Sequence, residues 1–94
     1  MATGTIKIYK RTFKKITTQS ETISAGSTKW FGVDISTYKN VGLNGYYFEG
    51  TGNAYMNVYA VYIDENTSQV TLAAVNAGSI TANVKVNFYI SYDA

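Results

Sequence analysis

Ala82-Asn83-Val84-Lys85-Val86-Asn87-Phe88-Tyr89-Ile90-Ser91-Tyr92 is the stretch that decides the fold. Ala82, Val84, Val86, Phe88, Ile90 and Tyr92 fall on one side of an extended chain, and Asn83, Lys85, Asn87, Tyr89 and Ser91 on the other. A period of two with one dry and one wet face is an antiparallel strand packed on a core. Working backwards, Asn76-Ala77-Gly78-Ser79 reads as the turn into this strand, and residues 69–76 align Val70, Leu72 and Ala74 on a second one. Residues 29–36 alternate through Phe31, Val33 and Ile35, and residues 41–48 through Val41, Leu43 and Tyr47. Ile6 and Ile8 alternate with Lys7 and Tyr9, and a short strand around residues 15–23 carries Ile16 and Ile23. Gly50-Thr51-Gly52-Asn53 and Asp64-Glu65-Asn66-Thr67 supply two further turns. Six or seven strands with short connections predict an all-β fold, an antiparallel β-sandwich of jelly-roll-like form.

Ninety-four residues fit a single domain, 1–94, with Met1-Ala2-Thr3-Gly4 either a native start or the disordered head of an expressed fragment. A chain this small buries only about two thirds of the surface its unfolded form exposes. Small domains of this kind gain from disulfides, metals or association. Cysteine and histidine are both absent, which removes disulfides, thiolate metal sites, the commonest metal ligand and the commonest neutral-pH base. Association is the remaining support. No cofactor and no metal are expected. Charged residues make up 15% of the chain, against roughly 25% in ordinary domains, while nine residues are tyrosine. Such a surface suits contact with protein or sugar. No apolar run reaches the ~18 residues of a membrane span, and the start lacks the apolar segment of a secretory signal.

Residues 55–63 break the one-face rule. Tyr55, Asn57, Tyr59, Val61 and Ile63 share one side and Met56, Val58, Ala60 and Tyr62 the other, so both sides are largely apolar. A two-layer fold covers one of them. Met56, Val58 and Tyr62 are therefore expected at an interface between identical subunits, each contributing roughly 1.5–3 kcal/mol on burial. The plainer alternative is a central strand whose outer side lies under a loop.

Catalysis is not expected. A serine or threonine nucleophile lacks a histidine base, and the six acids Glu21, Asp34, Glu49, Asp64, Glu65 and Asp93 lie mostly at turns and ends. Asp64-Glu65-Asn66 offers oxygen ligands but not the spacing of a calcium loop, and serves as a turn. Gly50-Thr51-Gly52 has no helix after it to hold a phosphate, and Asn66-Thr67-Ser68 matches a glycosylation acceptor that also reads as a turn. Lys7, Lys10, Arg11, Lys14 and Lys15 form a basic patch interleaved with Tyr9 and Phe13, a pattern of single-strand nucleic-acid binders. Lysines guarding an edge strand against unwanted pairing explain the same residues, and that reading is preferred. Most of the aromatic rings belong to core and subunit contacts, with Tyr38 and Tyr46, near turns, expected at a ligand surface.

The chain resembles the C-terminal head domains of phage and prophage tail fibres and minor structural proteins. The resemblance covers roughly residues 17–92 and is carried by Ile23-Ser24-Ala25-Gly26-Ser27-Thr28, Val41-Gly42-Leu43-Asn44-Gly45-Tyr46-Tyr47, the turn at Gly50 and Gly52 and the aromatic strand Tyr55 to Ile63. It continues through Val75-Asn76-Ala77-Gly78 to the closing strand. It implies a trimeric β-sandwich in a virion tail that contacts host-surface glycan or a protein receptor. The basic opening departs from that pattern. A purely structural virion or surface protein, and a small nucleic-acid-binding barrel using residues 7–15, are the two alternatives.

Overall fold

A computed structural model of the chain describes residues 10–94. Met1 to Gly4, the strand expected around Ile6 and Ile8, and Lys7 of the basic patch lie outside the described residues. Among the described residues seven strands follow one another: β1 (Arg11–Thr17), β2 (Glu21–Ile23), β3 (Thr28–Asp34), β4 (Gly42–Thr51), β5 (Met56–Asp64), β6 (Gln69–Asn76) and β7 (Ala82–Asp93). One turn of 3₁₀ helix, Asn53–Tyr55, sits between β4 and β5. All strand pairs are antiparallel. β7 lies in the middle of a four-stranded sheet, with β1 and β2 in succession along one side and β4 along the other; β6 lies between β3 and β5 in a three-stranded sheet.

The two central strands are the two with the cleanest alternation. Val84, Val86, Phe88 and Ile90 of β7 and Val70 and Leu72 of β6 have no solvent exposure, and all belong to one core cluster. Phe31 of β3 meets Phe48 of β4 edge to face, ring centroids 5.9 Å apart. The apolar faces of both sheets thus close on a single core, which makes the fold β-sandwich-like. No helix among the described residues is long and apolar enough to cross a membrane.

Two bulges account for the strands whose sides the alternation misassigns. In β5, Val58 pairs with Ala74 but Ala60 with Ala73, so Tyr59 is an extra residue and the side-chain phase reverses there. Met56 and Val58 before the bulge, and Val61 and Ile63 after it, all pack on the core. Met56 and Val58 are therefore part of the chain's own interior rather than an outward subunit surface; Tyr62 alone of the expected trio points outward, 45% exposed. In β4, Leu43 pairs with Ile90 and Gly45 with Tyr89, leaving Asn44 as the extra residue. Leu43 and Phe48 pack on the core, whereas Tyr47 lies beside Asn87 on the outer face.

The crossing from β4 to β5 depends on two glycines. Gly50 has φ +132°, and a Cβ there would collide with the carbonyl oxygen of Asn83; Gly52 has φ +80°, with Ala82 Cβ 3.0 Å from where its own would be. Gly50→Ala is expected to destabilise the fold by about 2–3 kcal/mol, through overpacking and a strained backbone. Equilibrium denaturation measures that loss.

Asn76 joins two other crossings. Its backbone N–H donates to Ser27 O at 2.9 Å, and its carbonyl accepts from Gly26 N at 2.7 Å. Its side chain is fully buried: Nδ2 donates to Ile23 O (3.0 Å) and Ile80 O (2.8 Å), and Oδ1 accepts from Gly78 N (3.0 Å). A residue legible in sequence only as part of a turn is the polar anchor of the core's end.

Candidate functional site

The basic segment forms β1, an edge strand, and alternation divides it. Arg11, Phe13 and Lys15 pair with Asp93, Ser91 and Tyr89 on the outer face of the larger sheet, while Lys14 points the other way and places Nζ 5.8 Å from the Tyr38 ring centroid. Arg11 donates to Asp93 Oδ1 (2.8 Å) and Ser91 Oγ (3.0 Å), and Asn40 Nδ2 donates to Asp93 Oδ2 (2.6 Å). Among the described residues the expected basic patch is thus divided between two faces, with Lys10 exposed at its start and Arg11 committed to an ion pair. The hydrogen bond from Asn40, and then Arg11, lower the Asp93 pKa from 3.8. A depressed carboxyl pKa adds stability above the unfolded value and loses it as pH falls through the folded one. Asp93→Asn is therefore expected to flatten the acid limb of the stability profile below about pH 4, as read by denaturant midpoints across pH.

Tyr38 and Tyr46 are not brought to one place. Tyr38 packs against Tyr92 (centroids 4.5 Å, 47°) and lines a cleft of about 470 Å³ at one end of the strands, with Ser36, Asn40, Asp64, Glu65 and Ser68. Tyr46 sits on β4 opposite Phe88 and lines neither this cleft nor the next. The Asp64 carboxylate accepts the Asn66 backbone N–H at 3.0 Å, the local bond of a turn residue. No group of three acidic side chains converges among the described residues.

A second cleft, about 410 Å³, opens between the edges of the two sheets. Its cause is a break in the outer strand. Thr17 pairs with Asn87 and Glu21 with Val84, so residues 18–20 span only two positions of β7. Thr18 bridges the gap: its N–H donates to Val86 O and its Oγ1 accepts from Val86 N, both at 2.9 Å. Ile16, Thr17, Thr18, Gln19 and Glu21 make one wall; Trp30, Phe31, Gly32, Val33 and Asp34 of β3 make the other. Trp30 is 53% exposed and is met edge-on by Tyr59, the bulge residue, at 6.3 Å and 80°. The Asp34 pKa is lowered chiefly by the backbone N–H of Ser36, 2.8 Å from Oδ1. Glu21 faces Lys29 Nζ at 3.5 Å. The cleft therefore offers a flat ring, hydroxyls, an amide and two carboxylates, the last being acceptors for ligand hydroxyl groups. Trp30 is one of the aromatic rings that the sequence alone does not single out for a ligand surface. The usable signal is the alternation of Phe31, Val33 and Ile35, whose inward phase sends Trp30, the only tryptophan of the chain, outward.

The outer face of the larger sheet is a third surface. Tyr47 and Tyr89 lie nearly parallel (24°) with centroids 5.9 Å apart, and hydrogen bonding with Tyr47 is the main cause that raises the Tyr89 pKa from 10.0. Lys85 pairs with Glu49 at 2.9 Å and lowers its pKa, and Thr17 donates to Asn87 Oδ1 at 2.6 Å. Phe13 stands 71% exposed beside them.

The class these features define is an all-β, sandwich-like chain whose clefts and outer faces carry aromatic rings. Comparison with protein families, with characterised proteins and with solved structures finds no match to this chain.

Proposed function

We propose that the chain is a non-catalytic binding module, the trimeric head of a viral tail, contacting carbohydrate or a receptor on the host surface. One observation carries this reading. With the large aliphatic residues among those described, other than Ile80, wholly or partly closed into a core, eight aromatic rings (Phe13, Trp30, Tyr46, Tyr47, Tyr55, Tyr59, Tyr62 and Tyr89) still stand exposed. The rings that stand together, Phe13, Tyr47 and Tyr89 on the larger sheet and Trp30 with Tyr59 on the smaller, are exposed apolar clusters of the kind that meet a partner. A jelly-roll-like path is supported by the strand order: β2, β7 and β4 lie side by side in one sheet, β3, β6 and β5 in the other. The chain changes sheet at residues 24–27, 35–41, 52–55 and 77–81, and only the β5–β6 hairpin and the β1–β2 break stay within one.

The experiment is a glycan array probed with the labelled chain, run beside binding to intact bacterial cells. Retention by particular glycans or cells supports the reading. Silence on both, with assembly into larger particles, leaves a purely structural role. Trimer formation is tested separately: light scattering at micromolar concentration is expected to give three times the 10.3 kDa chain mass. Tyr62→Ser is expected to lower that mass toward one chain, and a wild-type monomer would contradict the trimer.

A second reading has one specific observation behind it. Lys15 lies directly opposite Tyr89 in register, with Tyr47 stacked on that ring and Phe13 further along the same strand. Cations beside exposed rings on a sheet face suit single-stranded nucleic acid. Salt-dependent binding of a single-stranded oligonucleotide would favour it over the glycan reading.

A further inference from the structure

We infer that the cleft between the β1–β2 break and β3 is the carbohydrate site, and that it takes a neutral pyranose stacked on Trp30. This rests on the binding-module reading above and gives it a place and a ligand class. The strand break that opens the cleft is built into the sheet by the paired bonds of Thr18 with Val86. It therefore exists before any ligand arrives, and bulges of this kind commonly adjoin functional sites. Its volume, about 410 Å³, lies within the roughly 300–1,000 Å³ of small-molecule sites.

The lining selects the ligand. A pyranose has one face of C–H groups and a rim of hydroxyls. The half-exposed Trp30 ring matches the face, and Glu21, Asp34 and Gln19 match the rim. Hydrogen bonds to ionised carboxylates are roughly twice as strong as neutral ones, and the Ser36 N–H on Oδ1 favours the ionised form of Asp34. The lining includes two carboxylates, and Lys29, ion-paired with Glu21 at 3.5 Å, offsets one of them, so that Asp34 leaves the cleft with a net negative charge. That net charge disfavours sialic acid, uronic acids and phosphates, and a purely apolar ligand would leave its carboxylates dehydrated.

Tyr59 has a separate part. As the bulged residue of β5 it reaches the Trp30 ring edge-on, so the same irregularity that reverses the phase of β5 also fixes the stacking platform. Tyr59 is a positioning residue: it touches the ring rather than the sugar.

Trp30 is the only tryptophan in the sequence, so its fluorescence reports this cleft alone. The whole chain is titrated with the methyl glycosides of glucose, galactose, mannose and N-acetylglucosamine, and with sialyllactose. A saturable change with at least one neutral glycoside and none with sialyllactose is expected. Calorimetry with the neutral glycoside should then show Trp30→Ala weakening binding about tenfold or more, Trp30→Phe less. Tyr59→Leu should weaken it less than Trp30→Ala while shifting the emission of Trp30 in the free chain. Circular dichroism confirms that the variants fold. Saturable sialyllactose binding at Trp30 overturns the ligand class. Glycan binding on an array that leaves Trp30 fluorescence unmoved and survives Trp30→Ala overturns the site but leaves the module reading standing. Cell binding without any glycan binding overturns the inference in favour of a protein receptor, and absence of both sinks the module reading itself.

Discussion

Phe88→Ala is expected to lower the stability of the chain by about 3–5 kcal/mol, the cost of losing a buried ring together with the cavity it leaves. Phe88 has no solvent exposure and lies at the middle of β7, paired with Ile16 of β1 on one side and Tyr46 of β4 on the other. Both neighbours are held by their own strand ladders, so the cavity has little freedom to collapse. Small domains have only about 5–15 kcal/mol of net stability, so this one residue accounts for a large share. A fall in Tm of more than about 10 °C is the expected readout, with the denaturant slope unchanged. Phe88→Leu, which keeps most of the volume, should lose about 1.5 kcal/mol or less. Chain concentration must be matched between variants, because association with other copies would raise apparent stability by mass action.

Asn76→Asp is expected to cost about as much by a different route. The substitution exchanges an amide for a carboxylate of nearly the same shape. Where Nδ2 donates to the carbonyls of Ile23 and Ile80, an oxygen would face two oxygens, fully buried. The carboxylate keeps the Gly78 N–H on its other oxygen but has no cation to offset its charge, and a buried charge so left costs about 3–5 kcal/mol. The sign with pH distinguishes this from simple loss of packing. Burial and the two carbonyls raise the carboxyl pKa of the folded variant, so its penalty is present above that pKa and relieved as pH falls through it. The variant should therefore gain stability relative to wild type between neutral and mildly acidic pH, as measured by paired denaturation curves. A constant difference across that range would show that the loss comes from packing alone.

Much of the architecture is legible in the sequence. β7 and β6 follow from uninterrupted alternation, and the turns at Asp64 and Asn76 follow from their residue types. The errors have a common origin. An extra residue at Asn44 or Tyr59 reverses the phase of everything after it, and nothing in local composition distinguishes a bulge from a strand apolar on both sides. Strict alternation thus puts Met56 and Val58 on an outer surface, whereas they pack inward. The divided basic segment has a similar cause, because alternation places Lys14 and Lys15 on opposite faces of one edge strand. The Trp30 cleft was harder still. Its two walls come from residues 16–21 and 30–34, and only the pairing of both segments to different sheets, with a break at Thr18, sets them face to face.

The central claim is that ligand recognition lies in the cleft between the sheet edges. Amide NMR of the labelled chain, titrated with the neutral glycoside that perturbs Trp30 most, tests it residue by residue. The account predicts the largest shifts at Thr17, Thr18, Gln19 and Glu21 on one wall and at Trp30, Gly32 and Asp34 on the other. Shifts centred on Tyr38, Asn40, Asp64 and Glu65, or on Tyr47 and Tyr89, or no shifts at all, would contradict it.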